Sequence, residues 1–370
     1  MSPIDIGQRL ETVQEPPITT VQASTAPLFL IHSGAASVQT FTSREAAATT
    51  LSTSTALVAM TDAYFAEGGG VVTVVPLTGA TTVSDELALI TDSMGPGQVV
   101  APEVVTPAAA VTIADWAEQT GRFYIADAAD GATDAALLAL GDGIKAGSAN
   151  GRYASVEADT LIIPGRASST TREVPASVVR AGILARNDRE TRNPNLAPAG
   201  GTGMCRYAIG IKAEHSKTQR DALAAAGVNT FKMVGPAGGR IPWGYGVRTC
   251  ADLSVWPAWG QIGGTRTVMA YRAGADVERE SKMFMQIDGE GTSLAQLQTG
   301  LAAIAQGLQE VGALFKHGSQ PGYRIECSWD TTSLQDAQDG RVRVVTRLRT
   351  SPSAETIIET FFKVPVTVEV

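Results

Sequence analysis

The end of the chain poses the strongest constraint. Phe361-Phe362-Lys363-Val364-Pro365-Val366-Thr367-Val368-Glu369-Val370 alternates as a strand does, so Phe362, Val364, Val366, Val368 and Val370 share one face. No partner strand follows it in the sequence. Such a strand needs a sheet edge, in its own chain or in another. Pro365 cannot donate to a ladder, which favours an edge or donated strand over a central one. Burying five large apolar side chains is worth about 7–15 kcal/mol. Ordering ten residues of backbone costs about 10–20 kcal/mol. The two terms nearly cancel, so the hydrogen bonds of a receiving edge decide whether the strand orders. It either closes its own domain's sheet or reaches a neighbouring subunit.

A chain of 370 residues is long enough for two or three domains with real cores. Its formal charge of −8 argues against nucleic acid as a direct partner. Charged residues make up 18%, below the roughly 25% of an average soluble protein. Ala, Gly, Thr and Ser fill the difference. That composition suits surfaces covered by neighbouring chains, and it equally suits a high-GC coding bias. Cys205, Cys250 and Cys327 are odd in number and far apart, which supports neither a disulfide framework nor a zinc site. They read as buried small hydrophobes in a reducing compartment. The N-terminal residues lack the basic and apolar regions of a signal peptide. No apolar run reaches the ~20 residues of a membrane span.

Residues 1–24 are polar, carry Pro16-Pro17 and read as an extended arm. An outer α/β domain is expected over 25–170. Its strands are Pro27–Ile31, Val71–Val75, Arg122–Ala126 and Thr160–Ile163, and its helices cover 43–66, 83–92, 112–119 and 133–146. Ser43 is a candidate N-cap, and the continuous apolar run of Val71–Val75 suits a parallel strand. A second domain is expected over 171–352, followed by a strand arm over 353–370. Its helices are predicted at 174–187, 216–226, 273–285 and 293–315. Its strands are predicted at 206–212, 229–234, near 265–270, 321–328 and 341–349, with 235–246 irregular. In the helix at 293–315, Leu294, Leu297, Leu301, Ile304, Leu308, Val311 and Leu314 recur at helical spacing. The fold class is α/β (α+β) and multi-domain.

No catalytic constellation emerges. His32, His215 and His317 have no partners at metal-ligand spacing, and no nucleophile elbow, HExxH or P-loop occurs. Gly200-Gly201-Thr202-Gly203 and Gly235-Pro236-Ala237-Gly238-Gly239 lack the helix and lysine of a phosphate cradle. The expectation is no cofactor, no metal and no enzymatic activity. One strand carries a charge pattern. Val342, Val344, Thr346 and Leu348 share one face, while Arg341, Arg343, Val345, Arg347 and Arg349 share the other. The arginines are either a solvated face or a basic column that meets carboxylates of neighbouring subunits. Glu11, Glu15, Glu355, Glu359 and Glu369 in or beside the arms could supply that charge.

Read in order, several segments resemble the sheath proteins of contractile bacteriophage tails and related injection machines. Asp62-Ala63-Tyr64-Phe65-Ala66-Glu67-Gly68-Gly69-Gly70, followed by Val71–Val75, resembles that family's "FF-x-N-G-G" helix end and Val-rich strand, with Glu67 in place of Asn. Val174-Pro175-Ala176-Ser177-Val178-Val179-Arg180-Ala181-Gly182-Ile183-Leu184-Ala185-Arg186-Asn187-Asp188 resembles "P-P-S-x-x-x-A-G-x-x-A-R-x-D", and Ala197-Pro198-Ala199 its "A-P-A". Leu223 with Ala226-Gly227-Val228-Asn229 is similar to "L-x-x-x-G-I-N". Trp243-Gly244-Tyr245-Gly246-Val247-Arg248-Thr249 is similar to "W-G-x-R-T", with two extra residues before Val247. Gly340–Val344 and Pro352-Ser353-Ala354-Glu355 resemble the closing strand and its "P-x-E". Ala270-Tyr271-Arg272 echoes the family's "N-V-R-R" only loosely.

The resemblance implies a structural subunit that polymerises with itself as stacked hexameric rings around an inner tail tube. Both terminal arms would add strands to sheets in neighbouring subunits. Baseplate and tail terminator proteins would be further partners, in a virion tail assembled in the host cytoplasm, with no direct nucleic-acid contact and no membrane insertion. Contraction from a metastable state would drive the tube through the host envelope. The helix at 293–315 or its flanks would face the tube, with Lys316 and Arg324 as candidate contacts. An α/β small-molecule enzyme or binding protein, and a different self-assembling shell or tube, are the alternative readings.

Overall fold

A strand buried on both faces needs an unbroken apolar run, and such runs build the centre of this molecule. The computed structural model describes residues 27–79, 83–167, 169–236 and 239–355. The expected N-terminal arm at 1–24 and the strand residues Phe362, Val364, Val366, Val368 and Val370 lie outside them.

The first part of the chain supplies β1 (Pro27–His32), β2 (Gln39–Phe41), α1 (Arg44–Thr50), α2 (Thr55–Glu67), β3 (Val71–Pro76) and α3 (Ser84–Ala88). Next come β4 (Gln98–Val100), α4 (Pro107–Thr120), β5 (Phe123–Asp127), α5 (Asp134–Gly147), β6 (Ala154–Glu157), β7 (Thr160–Pro164) and β8 (Thr171–Pro175). The middle contributes α6 (Ala176–Thr191), β9 (Gly210–Ile211), α7 (Lys217–Ala225), β10 (Val228–Val234) and β11 (Ile241–Tyr245). The last part holds α8 (Ile262–Ser281), α9 (Thr292–Glu310), β12 (Tyr323–Glu326), α10 (Leu334–Gln338) and β13 (Val345–Leu348).

The main sheet has the order β11-β10-β6-β5-β4-β1-β3-β2. Its inner strands, from β10 to β3, are parallel, and β11 and β2 close the edges antiparallel. β5 is buried along its length, because α4 and α6 both pack on it. A smaller antiparallel sheet has the order β8-β7-β9, and β12 with β13 forms a separate hairpin.

The core falls into two apolar clusters. The first runs from Leu28 to Met269, the second from Ala270 to Cys327. The sheet thus draws strands from both sides of residue 170, where the sequence suggested a division. β10 pairs with β6 across that point, and α6 packs on α2. In the second cluster, Leu294, Leu297, Leu301, Ile304 and Leu308 of α9 are buried as their spacing predicts. Each contributes about 1.5–3 kcal/mol.

Several local readings change. The helix expected over 43–66 breaks at Leu51–Ser54, because a Ser/Thr run favours caps over helix interior. Ser43 caps α1 as expected, accepting from the Ala46 amide, and Ser54 caps α2 through the Leu57 amide. The strand expected near 265–270 is helical instead. Thr265-Arg266-Thr267-Val268 lies inside α8, where Arg266 is fully buried and donates to Asp188. A tertiary ion pair here overrides β propensity. The segment at 235–246, expected to be irregular, contains β11, whose Pro242 sits on an edge strand where a missing donor is tolerated.

The segments singled out in the sequence prove to be packing devices. α6 carries Arg180, Arg186 and Asp188, all buried. Arg180 forks onto Glu157 of β6 at 2.9 and 3.1 Å. Arg186 donates to Glu67 at 3.2 Å, and Asp188 accepts from Arg266 of α8. The Glu67 carboxylate also accepts the backbone N–H groups of Arg206, Tyr207 and Ala208 at 2.8, 2.8 and 3.0 Å. Gly182 permits this approach, since a Cβ there would sit 2.7 Å from the Glu67 Cβ. Gly69 is similarly required, because a Cβ would lie 2.2 Å from the Tyr64 ring. Asn229 is fully buried and joins β10 to the chain after β11, donating to the Arg248 carbonyl at 2.9 Å and accepting its N–H at 2.7 Å.

The C-terminal ends of parallel strands are where open α/β sheets bind ligands. Here the carboxylates at those ends serve the packing. Asp127 of β5 accepts the Ser177 amide at 3.1 Å and the Ser177 hydroxyl, which ties the start of α6 to the sheet. Asp159 accepts the Phe231 amide, with His215 at 3.5 Å. Burial pushes the Asp127 carboxyl up to about 7, and the neighbouring Glu157 charge adds to the rise. Asp62 goes the other way. Burial opposes its charge, but hydrogen bonds from Arg166, Arg44 and Arg172 outweigh that and hold it at about 2.

Two predictions follow from this polar framework. Glu67→Ala strands the buried Arg186 guanidinium and three amides, so urea unfolding should show a loss of about 3–5 kcal/mol. Glu67→Gln keeps an acceptor and should lose less. For Asp127 the folded carboxyl binds its proton more tightly than the unfolded one, whose ordinary value is 3.8. Stability should therefore fall as pH rises from about 4 to 7 and level off above that. Asp127→Asn should flatten that slope in denaturant titrations across the range, and a curve parallel to the wild type would assign the slope to other groups.

Candidate assembly surface

Of the residues singled out for self-association, those within the described residues gather around the β12–β13 hairpin. The register pairs Tyr323 with Leu348, Arg324 with Arg347, Ile325 with Thr346 and Glu326 with Val345. Opposed residues of an antiparallel pair share a face. Tyr323, Ile325 and Leu348 therefore face α9 and the second core, and Arg324, Glu326 and Arg347 face outward. Among the described residues no third strand pairs with either edge of this hairpin. Just past β13, Thr350 forms an isolated antiparallel bridge with Leu314, and the inner face of the hairpin is anchored on the second core.

The expected basic strand at 341–349 is shorter, since only Val345–Leu348 pair as strand. Within it the predicted alternation holds. Arg347 points outward and donates to Glu326 across the ladder at 2.7 Å, and Arg324 shares the same carboxylate. This acid between two cross-strand arginines offsets their repulsion. The two arginines hold the Glu326 carboxyl below its ordinary value. Arg343 turns away before the strand and forks onto Asp336 of α10, at 2.8 Å through each nitrogen. That fork, with Ser333, keeps the Asp336 carboxyl well below the usual carboxylate range. Arg341 lies 3.6 Å from Asp339. Arg349 is exposed at the end of the strand. Its backbone accepts the Phe315 N–H at 2.7 Å and donates to the Gly322 carbonyl at 2.7 Å. The arginine column is therefore partly neutralised inside the chain, which the alternation alone could not reveal.

Lys316 follows this junction and is exposed. It lies next to Phe315, which stacks on His317. Lys316 lies on the return from α9 and Arg324 on the outward face of β12, both exposed.

The last described residues are anchored beside the same region. Gln261 accepts the Ser353 N–H at 2.9 Å and donates to Glu355 at 2.8 Å, and Arg248 pairs with Glu355 at 2.6 Å. The "P-x-E" segment and the arginine of the "W-G-x-R-T" segment thus form one clamp at the root of the C-terminal arm. Sequence spacing gave no sign of it, because the partners are more than 90 residues apart. Among the described residues no group of three His, Cys, Asp or Glu could hold a metal ion, and no helix is long and apolar enough to cross a membrane.

No family model and no curated protein matches this chain. Solved structures do. The anti-feeding prophage helical sheath in its contracted state superposes with a TM-score of 0.71 at 20% identity, covering 98% of this chain and 99% of that one. The sheath complex of an extracellular contractile injection system, PVC, in its contracted state gives 0.72 at 18% identity, covering 92% of each chain. The sheath tail protein of Desulfitobacterium hafniense gives 0.56 at 11% identity, covering 93% of this chain and 100% of that one. The chain has the fold of the contractile tail-sheath proteins.

Proposed function

We propose that this chain is a sheath subunit of a contractile tail or injection machine, and that it polymerises with itself as stacked hexameric rings around an inner tube. The observation that carries this reading is the β12–β13 hairpin, two strands seated on a core with no third strand paired to them among the described residues, beside the clamp on Glu355. The likeness of fold along the whole chain to sheath proteins supports it.

The mechanism follows from strand physics. The alternating residues Phe362 to Val370 need an edge, and the hairpin offers two. Exchange between copies satisfies both. Each added strand gains main-chain hydrogen bonds and buries one apolar face, which offsets its ordering cost. A mesh of such strands holds copies together while their bodies move, so rings can rotate and slide without separating. The extended sheath is metastable, and contraction gains lateral contacts between subunits, driving the tube through the host envelope without nucleotide hydrolysis. Of the basic strand Arg341, Arg343, Arg347 and Arg349, Arg343 is taken by Asp336, and the others offer partners to carboxylates of adjacent arms such as Glu359 and Glu369. Lys316 and Arg324 face the tube. Baseplate and terminator proteins bound the assembly at its two ends, in a tail assembled in the host cytoplasm.

Electron microscopy of the concentrated protein, alone and with the cognate tube, tests the reading. Hollow striated tubes with sixfold end views are expected. Monomers that stay dispersed in the presence of the tube would overturn it. Truncation after Thr360 removes the alternating strand and should leave a folded monomer that cannot form sheaths. Normal polymerisation of the truncated chain would end the strand-exchange argument. Lys316→Glu and Arg324→Glu should assemble but weaken tube binding in a co-sedimentation assay, and unchanged binding in both would remove these residues from the tube interface.

A further inference from the structure

The two ends of α8 carry complementary features. At the C-terminal end the chain turns through Lys282-Met283-Phe284-Met285, closed by the Met285 N–H to the Lys282 carbonyl at 3.1 Å. Phe284 is 98% exposed and has φ of 64°, in the left-handed region that bulky side chains rarely occupy. Met283 beside it and Val277 on the last turns of α8 are also exposed. A strained backbone that holds a large aromatic ring in water has no rationale within one copy. The surrounding segment is acidic. Residues 276–290 hold five carboxylates (Asp276, Glu278, Glu280, Asp288 and Glu290) against Arg279 and Lys282.

At the N-terminal end of α8 lies an open groove of about 690 Å³. Leu253, Trp259, Val268, Phe315 and Leu348 form its apolar lining. Leu253 and Phe315 are themselves exposed. Arg248 and Arg349 also line it; Arg248 is paired with Glu355, and Arg349 forms no ion pair among the described residues. An exposed acidic tip with an aromatic point therefore matches an apolar groove that carries the unpaired Arg349.

We propose that Phe284 of one copy seats in this groove of the next copy, head to tail. The tip and the groove are separated by the length of a 20-residue helix, about 30 Å. They are different patches, so the contact is heterologous and propagates from copy to copy instead of closing a two-fold pair. The proposal rests on the helical self-assembly reading above and adds a second, side-chain contact to the exchange of strands.

Intermolecular disulfide trapping tests it on the full chain. Cys205, Cys250 and Cys327 are buried, so introduced thiols report on their own positions. The double variant Phe284→Cys, Leu253→Cys should give an oxidation-dependent ladder of dimers, trimers and higher species once assembled. Either single variant should give at most dimers. Phe284→Asp should fold with an unchanged Tm, because the side chain lies in water, and should raise the concentration needed for assembly at least tenfold. If tubes form and the double variant gives no ladder, or if Phe284→Asp assembles like the wild type, the tip-in-groove contact is wrong and the sheath reading stands. If Leu253→Cys cross-links instead to a cysteine at Phe361 of the same copy, the chain's own arm is the occupant and the proposal falls. If the wild-type chain forms no tubes with its tube partner, both readings fall together.

Discussion

The buried ion pairs of α6 hold the rest of the molecule in place. This one helix sends Arg180 to β6, Arg186 to the end of α2 and Asp188 to α8. Each bond joins α6 to a different element, separated by between 23 and 119 positions in sequence. Pairs of this kind add little net stability over an apolar substitute, because desolvation consumes most of the attraction. Their effect is on alternatives. A helix held by three directional charge pairs has one rotation and one height against the sheet. A helix held by apolar contacts alone could slide by a turn at small cost. If copies pack together as proposed, that fixed register matters more than a small gain in stability.

Glu67 shows how this constraint spreads. Its carboxylate gathers Arg186 and the three consecutive amides of Arg206, Tyr207 and Ala208, so the loop before β9 takes its shape from a side chain on α2. The glycines around it are the steric counterpart. Gly68, with φ of 120°, ends α2, and Gly69 and Gly182 make room for Tyr64 and Glu67. Sequence reading treated the Glu67 position as a departure from the resembling pattern. In the structure it is, with Asp62, one of two carboxylates of the framework that take four polar contacts.

The legibility of the fold followed the physics of each signal. α9 was readable because its apolar residues recur at a helical period and its buried face needs nothing else. β1 and β3 were readable because parallel strands buried on both faces leave long apolar runs. β4 and β6 were missed. Each is only three or four residues long, and Ala154-Ser155 carries no strand signal of its own. Their pairing comes from neighbours on either side. α8 was misread over 265–270 because its first turns owe their helix to Arg266 and to Gly263 packed against Asn195, not to propensity. On the assembly surface the outward face of β13 was readable from alternation. The neutralisation of Arg343 by Asp336 and of Arg347 by Glu326 was not, because those partners are set by the folded hairpin. The clamp of Arg248 and Gln261 on Glu355 was hidden for the same reason.

α8 links the two cores mechanically. Its first half contributes Ile262 and Met269 to the larger cluster, and its second half contributes Ala270, Tyr271 and Ala275 to the smaller one. A continuous helix resists bending, so a displacement of the smaller core carries the hairpin, the root of the C-terminal arm and both ends of α8 with it. β12 and β13 pack on that smaller core, and Tyr271 ties α8 to Thr346 of β13 at 3.2 Å. In the assembly proposed above, a subunit built this way would move as a body while its connections to neighbours pass through extended strands. Extended strands transmit tension and tolerate rotation. Under that proposal, the division between a body held in register by charge and strands that make the links lets the subunits change their packing without coming apart.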